Sequence, residues 1–151
     1  MTALAGTQFE LRQLSTTDDL LVWPDFIREA VVAVKGTDTS KTTEQVLEAV
    51  RRHVGDLEYL FLIQLDGIVP MAFAANFLAS DAYGEIQVVT WLVYIRPGGD
   101  RQQLDDEIVR WGKIAGAKEM LGANEMFTPA KRKWFSRLGY RLKCEVWSRR
   151  I

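Results

Sequence analysis

The sequence predicts an α/β fold: a mixed β-sheet with helices on both faces. Three stretches carry that expectation. The first runs from Glu85 to Ala117 and joins a strand, a glycine turn and a helix. Ile86 to Ile95 is rich in β-branched and aromatic residues, which suit a buried pleated surface. Pro97 cannot donate to a sheet ladder and Gly98 and Gly99 follow it, so the strand stops there. Beyond the turn, Leu104, Ile108, Trp111 and Ala115 fall on one helical stripe with Ile114 beside it. The second stretch is Glu58 to Ala79, two apolar runs around Asp66-Gly67, a hairpin signal. The third is Thr42-Thr43-Glu44-Gln45, a capping box that opens a helix burying Val46, Leu47, Val50 and Val54.

The remaining elements fall in between. Phe9 to Leu14 alternates apolar and polar residues, as a half-buried strand does. Ser15 to Asp19 offers helix caps, and the helix that follows buries Leu20, Trp23, Ile27, Ala30, Val31 and Val34. Pro24 fits only its first turn, so this helix starts late or kinks. Gly36 is its stop, and Gly55 ends the second helix. Pro70 marks an edge or a bulge in the hairpin's return strand. Glu119 to Asn124 reads as a short strand, parallel to the central one because a crossover helix joins them. Thr128-Pro129 starts a last helix burying Trp134, Phe135 and Leu138, which Gly139 stops, and Tyr140 to Arg149 closes the sheet. The order is β-α-α-β-β-β-α-β-α-β, one domain over residues 1–151.

Composition excludes several classes. With 48% hydrophobic and 26% charged residues, the chain reads as an ordinary globular protein. Cys144 is its only cysteine, so no internal disulfide forms and a reducing, cytoplasmic setting is expected. No signal peptide and no membrane-spanning stretch is expected. One histidine, His53, and one cysteine predict neither a metal site nor a Cys–His nucleophile pair, and His53 reads as a rim residue of the second helix. No phosphate-binding Walker loop, Ser-His-Asp order or zinc spacing is present. Charge is unevenly spread. Pro129 to Ile151 holds eight basic residues and one acid, a net of +7, against −8 for the rest. Such a segment suits an acidic partner, a phosphate-bearing ligand or nucleic acid. The backbone N–H groups where the Arg101 helix begins suit an anion as well.

Two local patterns, together with the element order, resemble the GNAT acetyltransferase superfamily. Ile95-Arg96-Pro97 is similar to the hydrophobic-x-Pro that ends the family's fourth strand. Trp134-Phe135-Ser136-Arg137-Leu138-Gly139-Tyr140 is similar to its Leu-Tyr-Glu-Lys-Leu-Gly-Phe segment. The resemblance implies a GNAT-like sheet and acetyl-CoA between the fourth and fifth strands, its pyrophosphate on the loop that opens the next helix. It implies Val93, Ile95, Arg96, Gly98, Gly99, Arg101, Gln102, Gln103 and Leu104 as the cofactor-binding residues. Glu85, at the start of the central strand, is the implied base.

The chain departs from the family where the chemistry sits. The family's loop reads Arg/Gln-x-x-Gly-x-Gly/Ala. Aligned from Pro97, its glycine places fall on Gln103 and Asp105, while the glycines stand at Gly98 and Gly99. A carboxylate near a pyrophosphate repels it by about 1 kcal/mol or more. The family's tyrosine, the acid that protonates the leaving thiolate, aligns with Phe135, which has no proton to give. Tyr94 and Tyr140 remain as phenols. The expectation is therefore a GNAT-fold protein with weak or lost N-acetyltransferase activity, binding acetyl-CoA weakly or not at all and acting through a protein partner or nucleic acid. Degraded domains of this kind occur among bacteriophage virion proteins, which implies virion association for a phage-encoded chain. The other expectation is an active acetyl-CoA-dependent N-acetyltransferase acting on an amine.

Overall fold

The computed structural model describes residues 9–35, 41–122 and 129–141. Its strands are β1 (Glu10–Leu14), β2 (Tyr59–Asp66), β3 (Val69–Ser80), β4 (Ile86–Ile95) and β5 (Glu119–Gly122). Its helices are α1 (Thr17–Leu20), α2 (Pro24–Lys35), α3 (Thr43–His53), α4 (Arg101–Ile114) and α5 (Pro129–Arg137). The strands form one sheet in the order β1-β2-β3-β4-β5. The first four run antiparallel to their neighbours, and β5 runs parallel to β4.

Local sequence explains the element ends. Thr42 and Gln45 form the reciprocal capping box at the start of α3, with bonds of 2.8 and 3.1 Å. A second box joins Thr16 to Asp19 and makes α1 a separate short helix. The stretch read as one helix from Leu20 is thus divided, and α2 begins at Pro24, where a missing N–H costs nothing. Gly67 takes a φ of 62° in the β2–β3 turn. Beside Pro70 the β2–β3 register slips, as a strand proline requires.

The sheet separates two cores. Phe61, Ile63, Leu65, Phe73, Ala75 and Leu92 pack against α2 and α3. Leu60, Leu62, Ala72, Ala74 and Val88 pack against Leu104 and Ile108 of α4. Gly112 lets α4 approach β4 closely, because a Cβ there would lie 2.6 Å from Val88 Cγ2. Two expected burials are corrected. Ile114 is 74% exposed, because α4 ends there and its stripe has rotated off the sheet. Trp134 is 40% exposed; its ring lies over Arg101 rather than inside a core. Gly36, Asn124, Thr128 and all of the expected closing strand, Tyr140 to Arg149, except Tyr140 and Arg141 lie outside the described residues, and those two carry no strand.

Candidate functional site

The site is built at the end of β4 that runs into α4. Among the described residues, β4 and β5 pair from Gln87 with Glu119 to Thr90 with Gly122. Beyond Thr90, β4 carries one extra residue, Trp91, opposite β3. Such a bulge bends a strand and raises its twist. The rest of β4, through Ile95, stays paired with β3. Arg96 to Asp100 then turns the chain into α4.

That turn is held from below by Gln64, which lies fully buried in β2. Its amide nitrogen donates to the Asp100 carbonyl (2.9 Å) and to Gln103 Oε1 (2.7 Å). Its Oε1 accepts from the Asp100 N–H at 3.0 Å. Gln103 Nε2 reaches across to the Phe9 carbonyl at 2.7 Å. Asp100 caps α4 by accepting from the Gln103 N–H at 3.2 Å. Gly98 has a φ of 91°, and a Cβ at Gly99 would stand 2.5 Å from Ile95 Cγ2 and 3.1 Å from the Arg96 carbonyl. Both glycines are therefore fixed by shape.

From the first residue of α4, Arg101 Nε donates to Oδ1 of Asp105, one turn further on, at 2.8 Å. Their side chains are only 9% and 8% exposed. The Arg101 guanidinium lies 5.3 and 5.4 Å from the ring centres of Trp134 and Phe135 on α5. Phe135 packs edge-on against Tyr140 at 5.1 Å and lies against Gly122 of β5. The Tyr140 hydroxyl contacts Met120 Sδ at 3.7 Å. Burial, with the nearby Asp105 carboxylate adding to it, pushes that phenol up to about 12.

The expected site residues do not all meet here. Val93 and Ile95 line the α4 side of β4, half-buried, and Leu104 is buried wholly in that core. Gln102 is exposed and bonds Asp106 at 2.8 Å. Arg96 turns to the opposite face. Its guanidinium meets the Glu29 carboxylate at 2.6 and 2.8 Å and the Pro70 carbonyl at 2.9 Å, over the Phe26 ring at 4.6 Å. The hydroxyl of Tyr94 joins the same carboxylate at 2.7 Å. Arg96 first, and Tyr94 after it, hold the Glu29 carboxyl down to about 2. Glu85 is exposed one residue before β4, with its N–H on Asp81 Oδ1 at 3.0 Å. The length of β4 keeps it roughly 30 Å from the turn. His53 stacks on Tyr59 at 4.1 Å and bonds Asp56 at 3.0 Å, at the end of β2 away from the turn into α4.

Sequence reasoning missed Gln64, although a lone amide in the apolar run Leu60 to Leu65 was a visible signal. It missed Glu29, which nothing local marks. A pyrophosphate brought to this helix start meets an Asp100 amide and a Gln103 amide already bonded inside the protein. It also meets a buried carboxylate one turn in. The residues therefore fit that group poorly. Among the described residues, no group of three or more His, Cys, Asp and Glu side chains gathers to hold a metal. No described helix is long and apolar enough to cross a membrane.

The sheet order, the parallel β5 and the turn into α4 define the GNAT acetyltransferase fold. Solved structures of that class superimpose over nearly the whole chain. The aminoglycoside N-acetyltransferase AAC(6')-Iy, bound to a CoA bisubstrate analogue, matches at 18% identity and a TM-score of 0.73, covering 95% of this chain and 98% of its own. A predicted acetyltransferase from Clostridium acetobutylicum with acetyl-CoA matches at 13% and 0.70, covering 95% and 96%. Glucosamine-6-phosphate N-acetyltransferase from Arabidopsis thaliana matches at 11% and 0.66, covering 95% and 98%. At these identities the likeness is one of fold. No protein-family model and no curated protein matches the sequence.

Proposed function

We propose that this chain is a GNAT-fold protein whose cofactor loop is closed by its own side chains, with acetyl transfer weak or lost. The observation that carries this reading is the buried Arg101–Asp105 pair under Trp134 and Phe135. A guanidinium at the head of α4 would otherwise serve phosphates. Here it neutralises a carboxylate of its own helix. Phe135 adds no acid, and Glu85 stands at the wrong end of β4. The work then passes to the surface: a protein partner, or nucleic acid met by the basic segment from Pro129 onward. Association with a virion, for a phage-encoded chain, belongs to the same reading.

Calorimetric titration with acetyl-CoA tests it. The expected result is no binding by the wild type at micromolar ligand. Binding is expected to appear when Asp105 and Gln103 are both changed to glycine. A wild-type Kd in the low micromolar range, about −8 kcal/mol, overturns the closed-site reading. It would favour the second one, an acetyl-CoA-dependent N-acetyltransferase acting on an amine. That alternative draws on one observation: nearly the whole chain takes the fold of solved acetyltransferases, one of them with acetyl-CoA. Release of free CoA thiol in the presence of amines, lost on Glu85→Gln, is the measurement that supports it.

A further inference from the structure

A cavity lies at the end of the sheet away from the turn into α4. It measures about 280 Å³, near the lower limit of small-molecule sites. β1 and β2 pair only as far as Leu14 with Phe61, so Tyr59 and Leu60 extend past the ladder. The loop that leaves α3 borders the notch so formed. Gly55, with a φ of 94°, brings that loop against the chain leaving β1; a Cβ there would stand 2.7 Å from the Ser15 carbonyl oxygen. Trp111 of α4 completes the lining. It stands ten residues beyond Arg101, and so about 15 Å along the helix from the turn.

The lining joins apolar surface to polar groups that the chain leaves unused. Gln13 lies opposite Leu62, which belongs to the α4-side core, so strand alternation sets it on the same side of the sheet as Trp111. Among the described residues, the Gln13 amide, the Tyr59 hydroxyl and the Trp111 indole N–H have no hydrogen-bond partner. Both rings are half-buried, a setting in which such groups commonly find one. Leu57 is 93% exposed on a loop that is fixed, with the Asp56 N–H on the His53 carbonyl at 3.0 Å and the Tyr59 N–H on the Asp56 carbonyl at 3.1 Å. Asp56 is the charged residue of the lining. Its Oδ2 meets His53 Nδ1 at 3.0 Å, and its Oδ1 has no partner among the described residues. Glu58, two places on, adds a second exposed carboxylate to the same loop.

We propose that this cavity binds a small organic ammonium ion with an aromatic body. The Asp56 carboxylate accepts a charge-assisted hydrogen bond from the ammonium. The Trp111 ring attracts the same cation through its face. Leu57 covers the aromatic body and so leaves water. The Gln13 amide and the Tyr59 hydroxyl give or take further hydrogen bonds. An anion of the same size meets the Asp56 charge and is repelled. The site lies at the other end of the sheet from the closed loop, and the inference holds whether or not acetyl-CoA binds.

NMR of the amide and indole N–H groups, with 2-phenylethylamine as the probe at neutral pH, tests it. The Trp111 indole signal, assigned by its loss in Trp111→Phe, should shift in a saturable way, together with the backbone amides of Asp56 and Leu57. The Gly98 and Gly99 amides should not move. 2-Phenylethanol, the uncharged analogue, should bind about tenfold or more weakly, about 1.4 kcal/mol. The same loss is expected for the amine in Asp56→Asn, whose Tm should stay within about 3 °C of the wild type because the position is exposed. A wild type without a saturable shift overturns the proposal. So does equal binding of amine and alcohol, a comparison that needs no variant. Shifts confined to Gly98 and Gly99, or full retention of amine binding in Asp56→Asn, overturn it as well.

Discussion

The two faces of the sheet are built from different materials. Against α2 and α3 lie Phe61, Ile63, Leu65, Phe73, Ala75 and Leu92, with Ile27, Ala30, Val31 and Val50 above them. Every buried polar residue among those described, Gln64, Asn76, Thr90, Arg101 and Asp105, lies on the other side, in or under α4. The first face is a hydrocarbon core, and its stability follows from area and fit. The second mixes that core with polar groups that must find partners, and three of its oxygen atoms find none. Stability and specific chemistry are thus divided between the two sides of one sheet.

The comparison breaks first at Phe73, which is fully buried in the apolar face. Phe73→Ala should cost about 3–5 kcal/mol in a urea titration followed by circular dichroism. A loss near 1 kcal/mol would mean that this face is not the main source of stability. On the other face, Arg101→Met leaves Asp105 buried without its partner. It should cost about 3 kcal/mol, while the Arg101→Met, Asp105→Leu double variant should recover most of the loss. Equal losses in the single and double variants would show that packing by Arg101 on Trp134 and Phe135, rather than charge, holds α4 to α5. The smallest effect is expected at the rim, where Glu29 meets Arg96. Because the Glu29 carboxyl is lowered from 4.5 to about 2, its stabilisation is present in full above pH 4.5 and is lost as the pH falls toward 2. The two side chains are 31% and 40% exposed, so solvent screening keeps the contribution below about 1 kcal/mol. Melting curves of wild type and Glu29→Gln between pH 2 and 6 should converge at the acid end. A gap that widens there would contradict the sign.

Local signals explain what the sequence disclosed. The Thr42–Gln45 box, the Asp66-Gly67 turn, the break at Pro97 and the parallel Glu119 strand each depend on a few adjacent residues, and each stands in the structure. The site was less legible because its contacts join distant parts of the chain. The resemblance implies Arg96 as a cofactor-binding residue, yet its side-chain partner, Glu29, lies 67 residues earlier. Gln103 reaches Phe9 across 94 residues. Strand parity is broken as well. Val88 belongs to the α4 side, as do Val93 and Ile95, so even positions give way to odd ones across the Trp91 bulge. A period-two reading cannot run unbroken through it. The Arg101–Asp105 pair is different. Its i,i+4 spacing was plain in the sequence, and the reading set Asp105 against an absent anion instead of against its own helix neighbour.

The packing of Gly99 bears on how this protein can change over generations. Any side chain at that position collides with Ile95 and with the Arg96 carbonyl, while Gln64 grips the next residue from beneath. Drift is therefore blocked at the turn itself. The open routes run through positions 103 and 105, whose side chains can be exchanged without redrawing the backbone. A lineage carrying this turn inherits a mould of fixed shape, and it gains or loses ligands by altering what stands beside the mould.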